Sequence, residues 1–421
     1  MVHVLKKYLL ALVLSLGYMA GMADDTMTGV FNDRVKSLQL HLFGDPFAPP
    51  VICLGTDDRL ILSFDHLAED MEYLRYQLVH CNADWQPSGL VDSEFLDGFN
   101  LGNIEDFEYS NLALTHYVHY TLVIPNADVR PLVSGNYLLK VYLESDPDDV
   151  WLQCRFMVSE QTAAIDATVS GVTDIDYNDA HQQLSLAVNT ERSQVEDPFN
   201  DLIVMVQQNG RYDNEVAVRK PLRMSGRNVA VYEHLPELIF EAGNEYRRME
   251  TVSTVYPGMR VADISYAEPY YHFTLQPDIA RAEEMYSYDQ TQHGRFTIRE
   301  SNSTYSDIEA DYGVVHFSLD IPEMQDAAIY LDGDFVNRRF DPESRMTFNR
   351  STGRYERNML LKQGAYNYNY LVVPKGKSRG YTAPVEGDKF QTCNEYLIKV
   401  YTRHPGDRFD RLIGVSSIVF Q

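Results

Sequence analysis

The sequence predicts an all-β protein of three consecutive β-sandwich domains, and three observations carry that expectation. At 421 residues the chain exceeds what one core organises and suggests two to four domains. Its aromatic residues are 29 Tyr and 19 Phe against 2 Trp, side chains suited to pleated, half-buried surfaces. Short alternating runs also recur between clusters of turn formers, which is how a sandwich reads in sequence. A hydrophobic content of 44% favours packed globules over disorder.

Residues 1–23 have the layout of an export signal. Lys6 and Lys7 precede an apolar run from Tyr8 to Met19, and Gly21-Met-Ala23 offers small residues for cleavage before Asp24. A membrane anchor needs roughly 20 apolar residues, more than this run supplies. No cysteine follows it for lipid attachment. No later run is long and apolar enough to span a bilayer, so the mature chain is expected outside the cytoplasm, soluble and without direct membrane insertion. Without the leader it has 34 basic and 61 acidic residues, a net charge of −27. That field repels nucleic acid and anionic lipid and favours a protein partner.

The first domain is expected over residues 28–160. Val35 to Phe43, Val51 to Leu54 and Arg59 to Phe64 read as strands, with a short helical turn over Asp65 to Glu72. Tyr76 to Cys81 alternates, placing Tyr76, Leu78 and His80 on one face and Gln77, Val79 and Cys81 on the other. It ends in the turn formers Asn82, Asp84, Pro87, Ser88 and Gly89, with Trp85 among them and Phe95-Leu-Asp-Gly-Phe99 beyond. A large ring in a polar turn is either a core plug or an exposed anchor. The strand-then-turn context favours Trp85 packing inside the first sandwich, with Asn82 and Asp84 capping its turn. Thr115 to Ile124, Tyr137 to Glu144 and Trp151 to Val158 complete the domain, the last two joined across the acidic turn Asp146-Pro-Asp-Asp149. The tyrosine after Ser134-Gly135 resembles the aromatic that opens a late strand in immunoglobulin-like folds.

A second domain is expected over 161–304, from strands at Ala163 to Ser170, Gln182 to Asn189, Leu202 to Gln208, Tyr246 to Val252, Tyr266 to Leu275 and Gly294 to Glu300. A third, over 305–421, takes Val314 to Leu319, Ala327 to Leu331, Arg354 to Leu361, Ala365 to Val373, Glu395 to Thr402 and Ile413 to Phe420. Tyr366, Tyr368, Tyr370 and Val372 share one face of its fourth strand.

No reaction chemistry stands out. His116 and His119 are three apart, so on a strand they diverge and do not chelate. His80, Cys81 and Asp84 could in principle join an ion site, but strand neighbours 80 and 81 also diverge, so no metal is expected. Cys53, Cys81, Cys154 and Cys393 match no zinc spacing; a disulfide among the first three and buried free thiols both remain open. Carboxylate pairs such as Glu94 and Asp97 are what so acidic a composition produces by chance. Nucleophile elbows, phosphate loops and dinucleotide fingerprints are all missing, so no enzyme activity, catalytic residue or cofactor is expected.

Ile329-Tyr-Leu-Asp-Gly-Asp-Phe-Val-Asn337 resembles the strand-turn of glycogen-binding-like modules, with Asp334 and Phe335 in the turn. Those modules place a tryptophan where this chain has Arg338, and sugar binding relies on aromatic platforms. The resemblance implies that the fold was kept without the carbohydrate site. A carbohydrate-binding protein of a glycan-uptake system is the alternative reading.

A longer series of motifs, His80-Cys-Asn-Ala-Asp-Trp85 with Pro87-Ser88, His119-Tyr120, Pro125-Asn126, Ser134-Gly-Asn-Tyr-Leu-Leu139 and Arg155-Phe-Met157, continues through Gln207-Gln-Asn209, Gly243-Asn-Glu245, Asp311-Tyr312, Leu361-Lys-Gln-Gly364, Tyr366-Asn-Tyr368, Glu386-Gly387 and Asp410-Arg-Leu-Ile-Gly414. In order and over almost the whole mature chain, this series resembles the plug protein family of the type IX secretion system of Bacteroidota. Phe95 stands where the family pattern has tyrosine, and Cys393 precedes Asn394 where glutamate is usual. The resemblance implies a non-enzymatic periplasmic protein, at the inner side of the outer membrane, that closes the giant β-barrel translocon while no cargo passes. His80, Cys81, Asn82, Asp84 and Trp85 then read as structural motif positions. The translocon barrel subunit is the implied partner.

Overall fold

The computed structural model describes residues 26–404 and 406–420; the expected signal peptide lies outside the described residues. The chain is nearly all β, in sheets packed face to face around three apolar cores.

The first core lies between two antiparallel-rich sheets. One contains Asp146–Ser159, Gly135–Leu143 and Leu74–Cys81, with Val51–Cys53 added in parallel. The other orders Val35–Leu42, Leu60–His66, Val118–Ile124 and Asp106–Tyr109. Alternation does its work here: Leu60, Leu62 and Phe64 from one sheet meet Tyr137, Leu139 and Val141 from the other, all buried. Val35–Leu42 breaks strict alternation through a register shift between Lys36 and Gln39, where Ser37 takes φ 55°. Val35 and Leu38, three apart, consequently both face the core.

Two local expectations are corrected. No helical turn forms over 65–72, because Asp65 and His66 continue the strand and pair with His119 and Val118. A short helix instead occupies Asp92–Phe95, where Glu94 accepts from the Val91 amide at 2.9 Å and Phe95 is buried. The acidic segment 146–149 also belongs to a strand, with register shifts at Val141/Tyr142 and Tyr142/Leu143.

The chain's last strands do not join the strands before them. Glu395–Thr402 pairs with Leu202–Gln208, from Leu202↔Thr402 to Gln208↔Tyr396, and Arg411–Val419 pairs beside it. Tyr396, Ile398, Val400 and Ile413 fill the second core with Leu184, Leu186, Val188 and Val204. Conversely Arg247–Glu250, Val261–Ala267, Tyr270–Leu275 and Phe296–Ile298 pack in the third core, with Phe317, Tyr366, Tyr368 and Tyr370. The expected boundary between 161–304 and 305–421 is therefore not where the strands partition. The third core is threaded into the second, because strand pairing is set by contacts far apart in sequence that local alternation does not encode.

Candidate functional site

Among the described residues no group of three or more His, Cys, Asp and Glu side chains could hold a metal ion. His119 is buried against Asp65 while His116 is exposed beside Glu69. All four cysteines are free thiols. What the structure assembles from the sequence-identified residues is a set of junctions between the three cores.

The turn after Leu74–Cys81 builds the first junction. Gln86 N donates to Asp84 Oδ1 at 3.1 Å and Trp85 N to Asn82 O at 2.9 Å, so Asp84 caps the turn and Trp85 takes φ 64°. The Asn82 side chain does something else: its Oδ1 accepts from Asp410 N at 3.2 Å and from Arg403 at 3.1 Å. Asp410 returns the contact, accepting from Ala83 N at 3.0 Å. Trp85 is buried, but not within the first sandwich as expected. With Cys81, Leu138 and Met157 it meets Leu397, Tyr401 and Leu412 from the chain's last strands. The Arg155 guanidinium lies 4.3 Å from the Trp85 ring centroid and 5.0 Å from that of Tyr212.

His80, on the opposite face of the strand, stays in the first core. Its Nδ1 lies 2.8 Å from Ser88 Oγ and its Nε2 3.1 Å from Ser134 O, with its ring edge-on to Tyr137 and Phe409. Burial pushes the imidazole below its ordinary range. The adjoining Gly135 has φ 143°, and a Cβ there would stand 2.5 Å from His80 Nε2. Gly135→Ala is expected to destabilise the protein by about 1–3 kcal/mol in urea unfolding, through strain and the displaced ring.

A second junction joins the first and third cores through a buried charge. Asp65 is 0% exposed and Lys362 1%, with Nζ 2.6 Å from Asp65 Oδ2. His119 Nδ1 donates to Asp65 Oδ1 at 2.6 Å and the Tyr312 hydroxyl to Oδ2 at 2.5 Å. Lys362 also donates to Asp307 O at 2.5 Å and lies 4.1 Å from the Tyr117 ring centroid. Burial alone would raise the Asp65 carboxyl, but Lys362 and His119 outweigh it and hold the group below the usual carboxylate range. Nearby, Asp311 accepts from Leu114 N and Thr115 N, each at 3.0 Å.

A further buried cluster, beside the third core, surrounds Arg338, which stands where the resemblance to glycogen-binding-like modules would put tryptophan. Arg338 is buried, 2.7 Å from Asp334 and 3.3 Å from Asp332, and donates to the Tyr246 hydroxyl at 3.0 Å and to His293 O. Phe335 turns the other way, stacked on Phe317 and edge-on to Tyr366 at the third core. Its ring is a packing element, not a platform. Trp85 and Asp334, 249 residues apart, line one cleft of about 170 Å³ with Arg155, Tyr212 and Arg338. His80 and Phe335 face separate cores.

Burial lowers the His293 imidazole to about 4. An unfolded histidine titrates near 6.5, so between those values the unfolded chain binds more protons and stability falls as the pH falls. A loss of up to about 1.4 kcal/mol per pH unit is expected in that window, and His293→Gln should flatten it in urea titrations at pH 4.5, 5.5 and 6.5.

Sequence reasoning did not foresee Asp65, Lys362, Arg155 or Asp410 as partners. The available signal was the motif series itself, because Arg155, Asp311, Tyr312, Lys362 and Asp410 all belong to it and all sit at junctions.

Residues 35–160 match the family described as type 9 secretion system plug protein, first domain. The crystal structure of a hypothetical protein from Parabacteroides merdae ATCC 43184 is 44% identical, with a TM-score of 0.92 over 93% of this chain and 99% of that one. Trypsin-activated alpha-2-macroglobulin from Escherichia coli aligns at 11% identity over 94% of this chain and 24% of that chain, with a TM-score of 0.17 that carries no argument. No curated protein matches.

Proposed function

Since this chain belongs to the type IX secretion system plug protein family, we propose that it is a non-enzymatic periplasmic plug that closes the periplasmic opening of the outer-membrane translocon when no cargo is passing. Its role in type IX secretion follows from the family; the closing of the pore is our reading. One observation supports it above the others: the cores are welded to one another at each junction by buried charge and side-chain–backbone bonds. Asp65–Lys362 joins the first core to the third, Asn82–Asp410 the first to the second, and Arg295 reaches Glu395 at 2.6 Å between the third and second.

Separate β domains ordinarily move relative to one another across modest polar interfaces. Here bending the junction between the first and third cores would strand the buried Asp65 and Lys362 charges, at a cost of several kcal/mol. A rigid body with bulk is what blocking a wide pore requires, and that demand involves no reactive group. Reversible closure favours a polar, wet contact with the barrel over an obligate apolar one. Among the described residues no helix is long and apolar enough to cross a membrane.

A tagged copy pulled from detergent-solubilised outer membrane should bring the giant barrel subunit with it. Recovery of the tagged protein without that subunit would overturn the proposal.

A further inference from the structure

At one end of the first sandwich Phe99 is 86% exposed and Leu101 62% exposed, yet the loop that carries them is firmly held. Asn100 between them turns inward: its amide donates to Leu78 O at 2.8 Å and its oxygen accepts from Leu78 N at 2.7 Å. Phe99 N donates to Asp128 O at 3.2 Å. Gly98 sits at φ 108°, and a Cβ there would fall 1.8 Å from that same Asp128 oxygen, so no other residue fits. One inward amide thus fixes two apolar side chains outward. Such a knob adds nothing to the cores and exposes apolar surface. Preorganised aromatic side chains of this kind are what anchor protein interfaces, since little freedom is left to lose on binding.

Carboxylates outnumber cations around the knob: Arg130 stands opposite Asp97, and Arg75, opposite Asn103, is engaged by Glu144. Between Arg75 and Arg130 the chain has no Lys or Arg and eight carboxylates. Asp97, Glu105, Asp106 and Asp128 are exposed before, after and beside the loop. An apolar anchor bordered by carboxylates is repelled by nucleic acid, by anionic lipid and by a second copy of the same face. It complements an apolar socket rimmed by Lys and Arg.

We infer that Phe99 and Leu101 form the docking point of this protein, and that they seat in an apolar, basic-rimmed socket on the periplasmic face of the translocon barrel. The identity of the partner rests on the plug reading; the chemistry of the socket rests on this surface alone.

The test compares the tagged wild-type protein with Phe99→Ser/Leu101→Ser, and with Leu112→Ser as a control at an equally exposed site. Each is incubated with detergent-solubilised barrel, and bound barrel is quantified. The double variant should melt like the wild type and bind about 30-fold more weakly, as loss of a central anchor does. Leu112→Ser should bind normally. Asp97→Asn/Asp128→Asn should bind more weakly and lose part of the salt dependence. Equal binding by the wild type and the Phe99/Leu101 variant would overturn the docking surface and leave the plug reading standing. Failure of the wild type to bind would overturn both.

Discussion

Lys362→Met is expected to lower the free energy of unfolding by about 3–5 kcal/mol, because it leaves Asp65 buried without its compensating charge. Asp65 is fully buried, and among its remaining partners only His119 can supply positive charge. The effect should be strongly non-additive. Asp65→Asn/Lys362→Met removes both charges, and a double-mutant cycle in urea should recover much of the loss. Acid acts on the same contact. The folded Asp65 carboxyl titrates below the ordinary value, so its contribution is complete above about pH 4 and is lost as the pH falls through the folded value. Glu386 follows the same sign: burial would raise it, but Arg247 and Arg281 outweigh that and hold it down. The acid limb of the wild-type stability curve should therefore be steep, and shallower in the double variant.

Trp85→Ala is expected to cost a similar amount, about 3–5 kcal/mol, as truncation of a buried aromatic does. Its location decides what is lost. The ring fills the space between the first sandwich and the chain's last strands and carries the Arg155 guanidinium on its face. The variant should keep both cores but weaken their junction. Hydrogen exchange should accelerate at Leu397, Tyr401 and Leu412 while the amides of Leu60, Leu62 and Phe64 remain protected. If Trp85→Ala melts like the wild type yet no longer captures the barrel, the ring is a contact residue and the junction account of it is wrong.

Strands were legible where alternation met a half-buried surface. Leu202–Gln208 and Glu395–Thr402 run as the sequence predicts, and Tyr366, Tyr368 and Tyr370 fill a core as their shared face implies. Their partners were not legible. Nothing local in Glu395–Thr402 distinguishes a neighbour at 354–374 from one at 202–208, so the expected third domain absorbed strands that complete the second core. In place of the helical turn expected over Asp65 to Glu72, the strand runs on through Asp65 and His66. Asp65 is buried with Lys362, 297 residues away, His119 and Tyr312 as its partners, and His66 is buried against Trp151.

The turn at 82–89 was recognised from its Asn, Asp, Pro and Gly, and Asp84 caps it as expected. Asn82 gave no sign that it reaches Asp410 instead of its own turn, since both are ordinary uses of the side chain. The motif series identified the family correctly while its physical meaning stayed hidden. In the structure many of its members are the residues that hold one core to another.

The claim that this protein closes the translocon is tested most directly by solute entry. Outer-membrane permeability to a small hydrophilic fluorophore should be measured in cells with and without the protein, and again after complementation with the wild type and with Phe99→Ser/Leu101→Ser. Entry should rise when the protein is absent, return to baseline with the wild type, and stay raised with the double variant. Equal entry with and without the protein, in cells that contain the barrel, would contradict the account.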